Sequence, residues 1–295
     1  MKKWIWVVAV GLLIGACGEE GGGGGGGLTY EQKQEIANEK IAVSLAATKG
    51  MVDMAFGAIE LFSQIGGMRS QGSPLKAQQN SQCPVLDNFN LSGNCQSQDG
   101  CDVNLTLDWG EGCAGDDGIL RKGKITIFGH ITSTSLSATA EFENFEEEGN
   151  KISSGTLSVD IQKTDKGWDA TITAKKIKGV NEDGNYSADF SLDISTDARG
   201  TEDDSDDLIT LNGNGKLSSD EGSISITIKD VIQDNQVCEE HPTSGTVEIE
   251  IDSDEADGTI KFTFHEQCDG KVDVQADLKI DGSSVKVNTS VPIEE

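Results

Sequence analysis

The sequence predicts a mainly β fold: a large antiparallel up-and-down sheet, sandwich or barrel-like, preceded by an amphipathic N-terminal helix or helix pair. Three observations predict it. From Pro84 onward, apolar residues recur at every second position in run after run, as in half-buried strands. These runs are separated by tight-turn sequences and never by a helix-length crossover, so neighbouring strands must be antiparallel. Upstream, residues 28–66 carry apolar residues at helical spacing instead.

The chain opens with a targeting segment. Lys2 and Lys3 form a positive start, and Trp4 to Ile14 is apolar but shorter than the ~20 residues that cross a bilayer comfortably. Ile14-Gly15-Ala16-Cys17 resembles the lipobox of bacterial lipoproteins, with Ile where Leu is usual. That resemblance implies a signal peptide over 1–16, cleavage before Cys17, and lipidation of Cys17 by a thioether-linked diacylglycerol and an N-acyl chain such as palmitate. Residues 17–27 then read as a lipidated cysteine and a glycine tether, because Gly21 to Gly27 has no side chains to bury. From Gly18 to Leu28 such a leash reaches ~18 Å. Residue 18 is Gly, not the Asp that retains enteric lipoproteins at the inner membrane. The expected location is the outer membrane, lipid-anchored and displayed at the cell surface, with a periplasm-facing body as the alternative.

Composition narrows the partners. The net charge of −28 becomes −30 once cleavage removes Lys2 and Lys3. A body this acidic excludes nucleic-acid binding, which needs clustered Lys and Arg, and anionic head groups would repel it. Contact with the membrane is therefore expected through the lipid anchor, leaving the body free for a protein or glycan ligand.

Thr29-Tyr30-Glu31-Gln32 has the form of a capping box and starts the helical segment, 28–66. Ile41, Leu45, Thr48, Val52, Ala55, Ile59 and Phe62 form a stripe that Met54, Ala58, Leu61 and Ile65 widen. Gly50 and Gly57 each cost ~1 kcal/mol relative to Ala, so a break into two helices is expected near Gly50. Residues 67–82, rich in Ser, Gln and Gly with Pro74, read as a linker to the β domain, 83–293.

In that domain Val103, Leu105, Leu107 and Trp109 alternate with polar residues, and the pattern returns about a dozen times up to Val285 and Val287. Asp165-Lys166-Gly167, Glu182-Asp183-Gly184-Asn185, Asp257-Gly258 and Asp281-Gly282 supply the turns. A membrane-spanning barrel would share this period, but aromatic residues are only 5%, too few for interfacial girdles.

Of seven cysteines, six remain after Cys17, an even number in an exported and oxidising setting. A hairpin of 85–92 with 101–109 places Cys95 and Cys101 at its tip and Cys83 and Cys113 at its open end. Joining Cys101 to Cys113 would span ~25 Å of strand, beyond the ~7 Å limit on Cα separation. Cys238 and Cys268 flank a second hairpin, Val247 to Ile251 with Ile260 to Phe264. The expected disulfides are Cys83–Cys113, Cys95–Cys101 and Cys238–Cys268. The outer pairs share a separation of 30, and Leu105, Leu107 and Trp109 map onto Ile260, Phe262 and Phe264 at one offset, which suggests an internal duplication.

Asp108-Trp109-Gly110-Glu111-Gly112-Cys113, Asp117-Gly118, Arg121, Gly123-Lys124-Ile125 and Phe142-Glu143-Asn144-Phe145 resemble a family of uncharacterised bacterial lipoproteins. Its pattern is D-F-G-x-G-C, D-G-R-x-R-x-G-K-I and F-x-N-[FY]. Trp109 stands where Phe is usual, and Ile119 occupies the first Arg position. Cys238, Ser244-Gly245-Thr246-Val247 and Cys268-Asp269-Gly270 also fit, so the resemblance covers about 83–285. It implies lipid anchoring and an all-β body, and carries no activity.

Two constellations invite chemistry. Cys238-x2-His241 and His265-x2-Cys268 would suit tetrahedral zinc, but the hairpin geometry pairs the two sulfurs, so a disulfide is expected and no metal. Acidic loops holding Asp203, Asp204, Asp206 and Asp207, and Asp252, Asp254 and Asp257, could hold calcium; as hairpin tips they also block edge-to-edge association. Ala256 and Thr263 stand where an EF-hand loop wants ligands. No G-x-S-x-G nucleophile occurs, and His130 stands alone in its strand. The expected role is non-enzymatic, structural or ligand-binding, with no catalytic residue and no cofactor; the alternative is a calcium-dependent envelope enzyme acting on glycans.

Overall fold

A computed structural model describes residues 28–67, 83–95, 97–114, 118–147, 149–181, 184–200, 207–238, 241–266 and 268–293. The signal segment, Cys17, the glycine tether and linker residues 68–82 lie outside them, as do Asp203, Asp204 and Asp206 and the side chains of Met54, Ala55, Ala58, Leu61, Phe62 and Ile65.

Among the described residues one helix, α1 (Tyr30–Gly67), precedes thirteen strands. They are β1 (Val85–Asn94), β2 (Gly100–Ala114), β3 (Leu120–Ile131), β4 (Ser135–Glu147), β5 (Asn150–Lys163), β6 (Trp168–Asn181) and β7 (Gly184–Asp197), followed by β8 (Leu208–Ser219), β9 (Gly222–Asp234), β10 (Ser244–Ser253), β11 (Ala256–Phe264), β12 (Lys271–Ile280) and β13 (Ser283–Pro292). Each strand pairs antiparallel with its neighbours in sequence, giving one up-and-down sheet with β1 and β13 as its edges.

The capping box forms as read: the Thr29 N–H donates to Gln32 Oε1 at 2.8 Å, and the Gln32 N–H donates to Thr29 Oγ1 at 3.2 Å. The expected break at Gly50 does not occur, and α1 is continuous through it. Gly50 is buried on the helix face that carries Ala47 and Met51, so burial of that face offsets its unfavourable propensity.

The period of two sorts every strand into an inward and an outward face. One inward row crosses the sheet through Leu105, Ile127, Ala140, Leu157, Ala174, Phe190, Gly215, Ile226, Ile249, Ile260, Ala276 and Val287. From Ala140 to Gly215 small and large residues alternate, and Met51 of α1 enters at Gly215. Because α1 touches β5 and also β12 and β13, the sheet curls around the helix. Among the described residues the fold is thus one antiparallel up-and-down sheet curled around a helix, with no ladder joining β1 to β13.

The outward face is polar. The positions next to that row are Thr139, Ser158, Thr173, Ser191, Asn214 and Thr227, on consecutive strands from β4 to β9. A spanning barrel has the inverse arrangement, apolar outward and polar inward. No described helix is long and apolar enough to cross a membrane.

A meander has two ends. The turns β2–β3, β4–β5, β6–β7, β8–β9, β10–β11 and β12–β13 lie at one, called the near end because α1 starts there. The Leu28 N–H donates to Asp281 Oδ2 at 3.1 Å, and Lys33 Nζ donates to Ser283 Oγ at 2.8 Å, both beside the β12–β13 turn. Lys40, 3% exposed, pairs with Glu255 of the β10–β11 turn at 2.9 Å. The other connections, including 235–243 and 265–270, form the far end.

The suggested duplication does not extend to register. The offset that lays Leu107 on Phe262 also lays Leu86, the cross-strand partner of Leu107, on His241; Phe262 instead faces Val247. Beyond the shared spacing of their disulfides, the likeness between the two hairpins is therefore confined to their second strands, β2 and β11, while their first strands are displaced relative to one another.

Candidate functional site

Three disulfides join the pairs expected: Cys83–Cys113, Cys95–Cys101 and Cys238–Cys268, with Cα separations of 5.8, 4.5 and 5.4 Å. Each follows from strand pairing. The β1–β2 ladder sets Asn94 opposite Gly100, which brings Cys95 and Cys101 together at the far end, in a small cluster with Val103 and Ile131. Cys83–Cys113 staples the same hairpin at the near end. Cys238–Cys268 staples β10–β11 at the far end, between the β9–β10 and β11–β12 connections.

The motif residues of β2, β3 and β4 converge at the near end. The Gly110 N–H donates to Asp108 Oδ1 at 2.8 Å, and Lys124 Nζ lies 3.2 Å from Asp108 Oδ2. That hydrogen bond, and secondarily Lys124, hold the Asp108 carboxyl below its usual value against a smaller opposing effect of burial. Gly110 faces Gly123 across a bulge, and a Cβ on Gly123 would strike the backbone of Asn144, itself at φ 49°. Trp109 packs edge-on to Phe145 at 5.3 Å. Beside them Arg121 Nε donates to Glu147 Oε2 at 3.0 Å, with both side chains buried. The spacing of D-W-G-x-G-C, G-K-I and F-x-N-F is therefore explained by bulges that nest in one another. Sequence reasoning missed the Arg121–Glu147 pair; an Arg in a motif and an acidic run 26 residues on gave no sign that they face each other.

The acidic loops separate. Asp207 precedes β8 at the far end, while Asp252, Asp254 and Asp257 belong to the β10–β11 hairpin at the near end, with Asp252 opposite Asp257. Among the described residues, no three His, Cys, Asp or Glu side chains converge so as to hold a metal ion.

His130 is paired, not alone: its Nδ1 lies 2.8 Å from Asp102 Oδ1, and Ser137 is its cross-strand neighbour on β4. An Asp–His–Ser row thus lies on the outward face. His130 Nε2 packs over Gly100, 2.6 Å from where a Cβ would stand, on the β2 side of the ring and away from Ser137. Asp102 is 74% exposed, so the row lacks the water-excluded surroundings that an oxyanion-stabilising site needs.

His241 and His265 lie on the two far-end connections that the third disulfide joins. The Nδ1 atom of each is buried and has no hydrogen-bond partner. His241 Nε2 sits over Gly270, 3.3 Å from a Cβ position there, so that glycine makes room for the ring. A shallow recess at the near end lies between Lys40 and Val43 of α1 and Leu217, Ile224 and Ile251 of the sheet. Its volume is about 30 Å³.

Compared with known proteins, the chain matches no family model, no curated protein and no solved structure at a significant level.

Proposed function

We propose that this chain is a lipoprotein of the bacterial envelope, anchored in the outer membrane through acylated Cys17, whose non-enzymatic body is displayed as a binding or structural scaffold. The observation that carries this reading is the attachment of Leu28 to Asp281 at the near end of the sheet. Residues before Leu28 must join the body there, on the same side as the turns bearing Asp220, Glu221, Asp254, Glu255 and Asp281. A tether arriving at an acidic rim holds the body off an anionic surface and presents the far end outward. The polar outward face and an interior filled by α1 suit a scaffold that meets soluble partners.

Mass spectrometry of the mature protein tests the anchor: the N-terminal peptide should begin at Cys17 and carry acyl mass, and Cys17→Ala should release a soluble body. Continued membrane fractionation of Cys17→Ala would sink the reading. Protease treatment of intact cells tests display. Cleavage within far-end loops supports it, and protection of the body while a known surface protein is cut would place it facing the periplasm.

A further inference from the structure

The two edges of the sheet are unlike. At β13, Val285 is buried and Val287 and Val291 pack on the core, where α1 lies against β12 and β13. At β1, among the described residues, the apolar side chains stay uncovered: Val85 is 52% exposed, Phe89 47% and Leu91 41%, and no β1 residue belongs to either apolar cluster. Leu91 stands opposite Val103, which is buried, and the bulge between Asp87 and Asn90 sets Asn88 and Phe89 against Leu105. The inward apolar face therefore runs out to this edge and ends there in the open.

Edge strands are commonly blunted by shortness, by Lys or by Pro, because their free N–H and C=O groups would otherwise template another strand. β1 runs for 10 residues with neither Lys nor Pro, and its single charge is Asp87. A bulge interrupts it after Asp87, yet Asn90 to Asn94 pair with β2 in unbroken register, and no described strand pairs with the outer side. Both ends of β1 are stapled to β2, by Cys83–Cys113 at the near end and Cys95–Cys101 at the far end. A strand held in this way has little further freedom to lose when another strand pairs with it.

Charge at this edge selects the partner. Residues 83–114 carry Asp87, Asp99, Asp102, Asp108 and Glu111 and neither Lys nor Arg. Lys124 of β3 is engaged by Asp108 at 3.2 Å. Two copies of β1 brought edge to edge would set these carboxylates near their own counterparts, on bodies that each carry a net charge of −28. We propose that the outer edge of β1 binds an extended, cationic segment of another protein, which pairs with β1 as an added strand. Its alternate apolar residues continue the inward face beyond Phe89 and Leu91, and the Lys or Arg residues between them turn to the outward face, where Asp87 lies opposite Thr106. Backbone pairing supplies a general affinity, and the apolar and charged positions set the register. The inference stands apart from the anchoring and the location of the chain.

A fluorescein-labelled short peptide alternating Lys and Val is the probe, titrated with the purified full-length protein and followed by anisotropy. It should bind, while the same peptide N-methylated at every residue, which keeps the charge and loses the backbone donors, should not. Phe89→Lys/Leu91→Lys should weaken binding about tenfold or more, with circular dichroism of the sheet unchanged. Asn288→Lys/Thr289→Lys, which makes the same change of charge at the other edge, should bind the peptide as wild type does. Hydrogen exchange should show β1 amides gaining protection on peptide addition and β13 amides unchanged. The proposal fails if the N-methylated peptide binds equally well, since charge alone would then account for the contact, or if the β1 variant binds like wild type. It fails equally if β1 amides are already protected in the free chain, which would mean that a segment of the chain itself covers the edge. Sedimentation showing a dimer that Phe89→Lys/Leu91→Lys dissolves would give the edge to a second copy and overturn the proposal.

Discussion

Met51 seats its sulfur against Gly215, 2.8 Å from the place a Cβ would occupy, and Phe190 closes the other side at 2.9 Å. This contact fixes how deeply α1 sits in the curl. Gly215→Ala should destabilise the body by about 1–3 kcal/mol through overpacking. In urea unfolding, its cost should shrink by at least ~0.5 kcal/mol on a Met51→Ala background, because the two sites share one space. Strict additivity would mean that Met51 does not fill this position.

Arg121 and Glu147 face each other across β3 and β4 with both side chains almost out of water. Removing one partner leaves a buried charge without this ion pair. Glu147→Ala or Arg121→Ala should cost about 3–5 kcal/mol, whereas Arg121→Met/Glu147→Leu should cost clearly less than the sum of the single changes. Chemical denaturation of the four proteins decides this, and a single variant within ~0.5 kcal/mol of wild type would contradict the burial of the pair.

Asp108 should make the near end acid-sensitive. Its folded value lies below the ordinary 3.8, chiefly because the Gly110 N–H donates to it, with help from Lys124. A depressed carboxylate contributes stability that is complete above its unfolded value and is lost as pH falls through the folded one. Wild type should therefore lose stability below about pH 4 more steeply than Asp108→Asn, which keeps an acceptor for Gly110 but cannot titrate. Parallel acid profiles would remove Asp108 from the account. Asp277, lowered mainly by Lys286, works in the same direction from β12.

Tyr186 governs the alkaline limit. Burial raises its hydroxyl from 10.0 to about 12, and the ring stands over Gly179 with its O–H directed to Lys151 O at 3.4 Å. Because the neutral form is favoured in the folded state, its contribution is intact below the unfolded value and is lost as pH rises toward the folded one. The chain has two tyrosines, so the phenolate absorbance at high pH should retain a component appearing near 12 that Tyr186→Phe abolishes. A titration complete before that pH would show the ring to be solvated.

Much of this fold was legible because its information is local. The two-residue period marks each strand and its inward face without reference to any other strand, and a chain of hairpins needs no long-range choice of partner. Thr29 and Gln32 could be read as a cap because both atoms of the reciprocal bond lie within one turn. The disulfides followed for the same reason: once Asn94 is taken to lie near Gly100, the cysteines next to them have nowhere else to go.

By itself, then, the sequence determined the strands, their antiparallel order, the single helix cap and the three cysteine pairs. Tertiary structure alone decided whether Gly50 would break the helix, because propensity favours the break and burial against the sheet outweighs it. It also decided the curl of the sheet, the meeting of Met51 with Gly215, and the pairing of Arg121 with Glu147. Each depends on distances between segments far apart in the chain, which set the depth of the helix and the nesting of bulges. The same holds for Asp207 and for Asp252, Asp254 and Asp257, which composition groups together and the alternation of strand direction carries to opposite ends of the sheet.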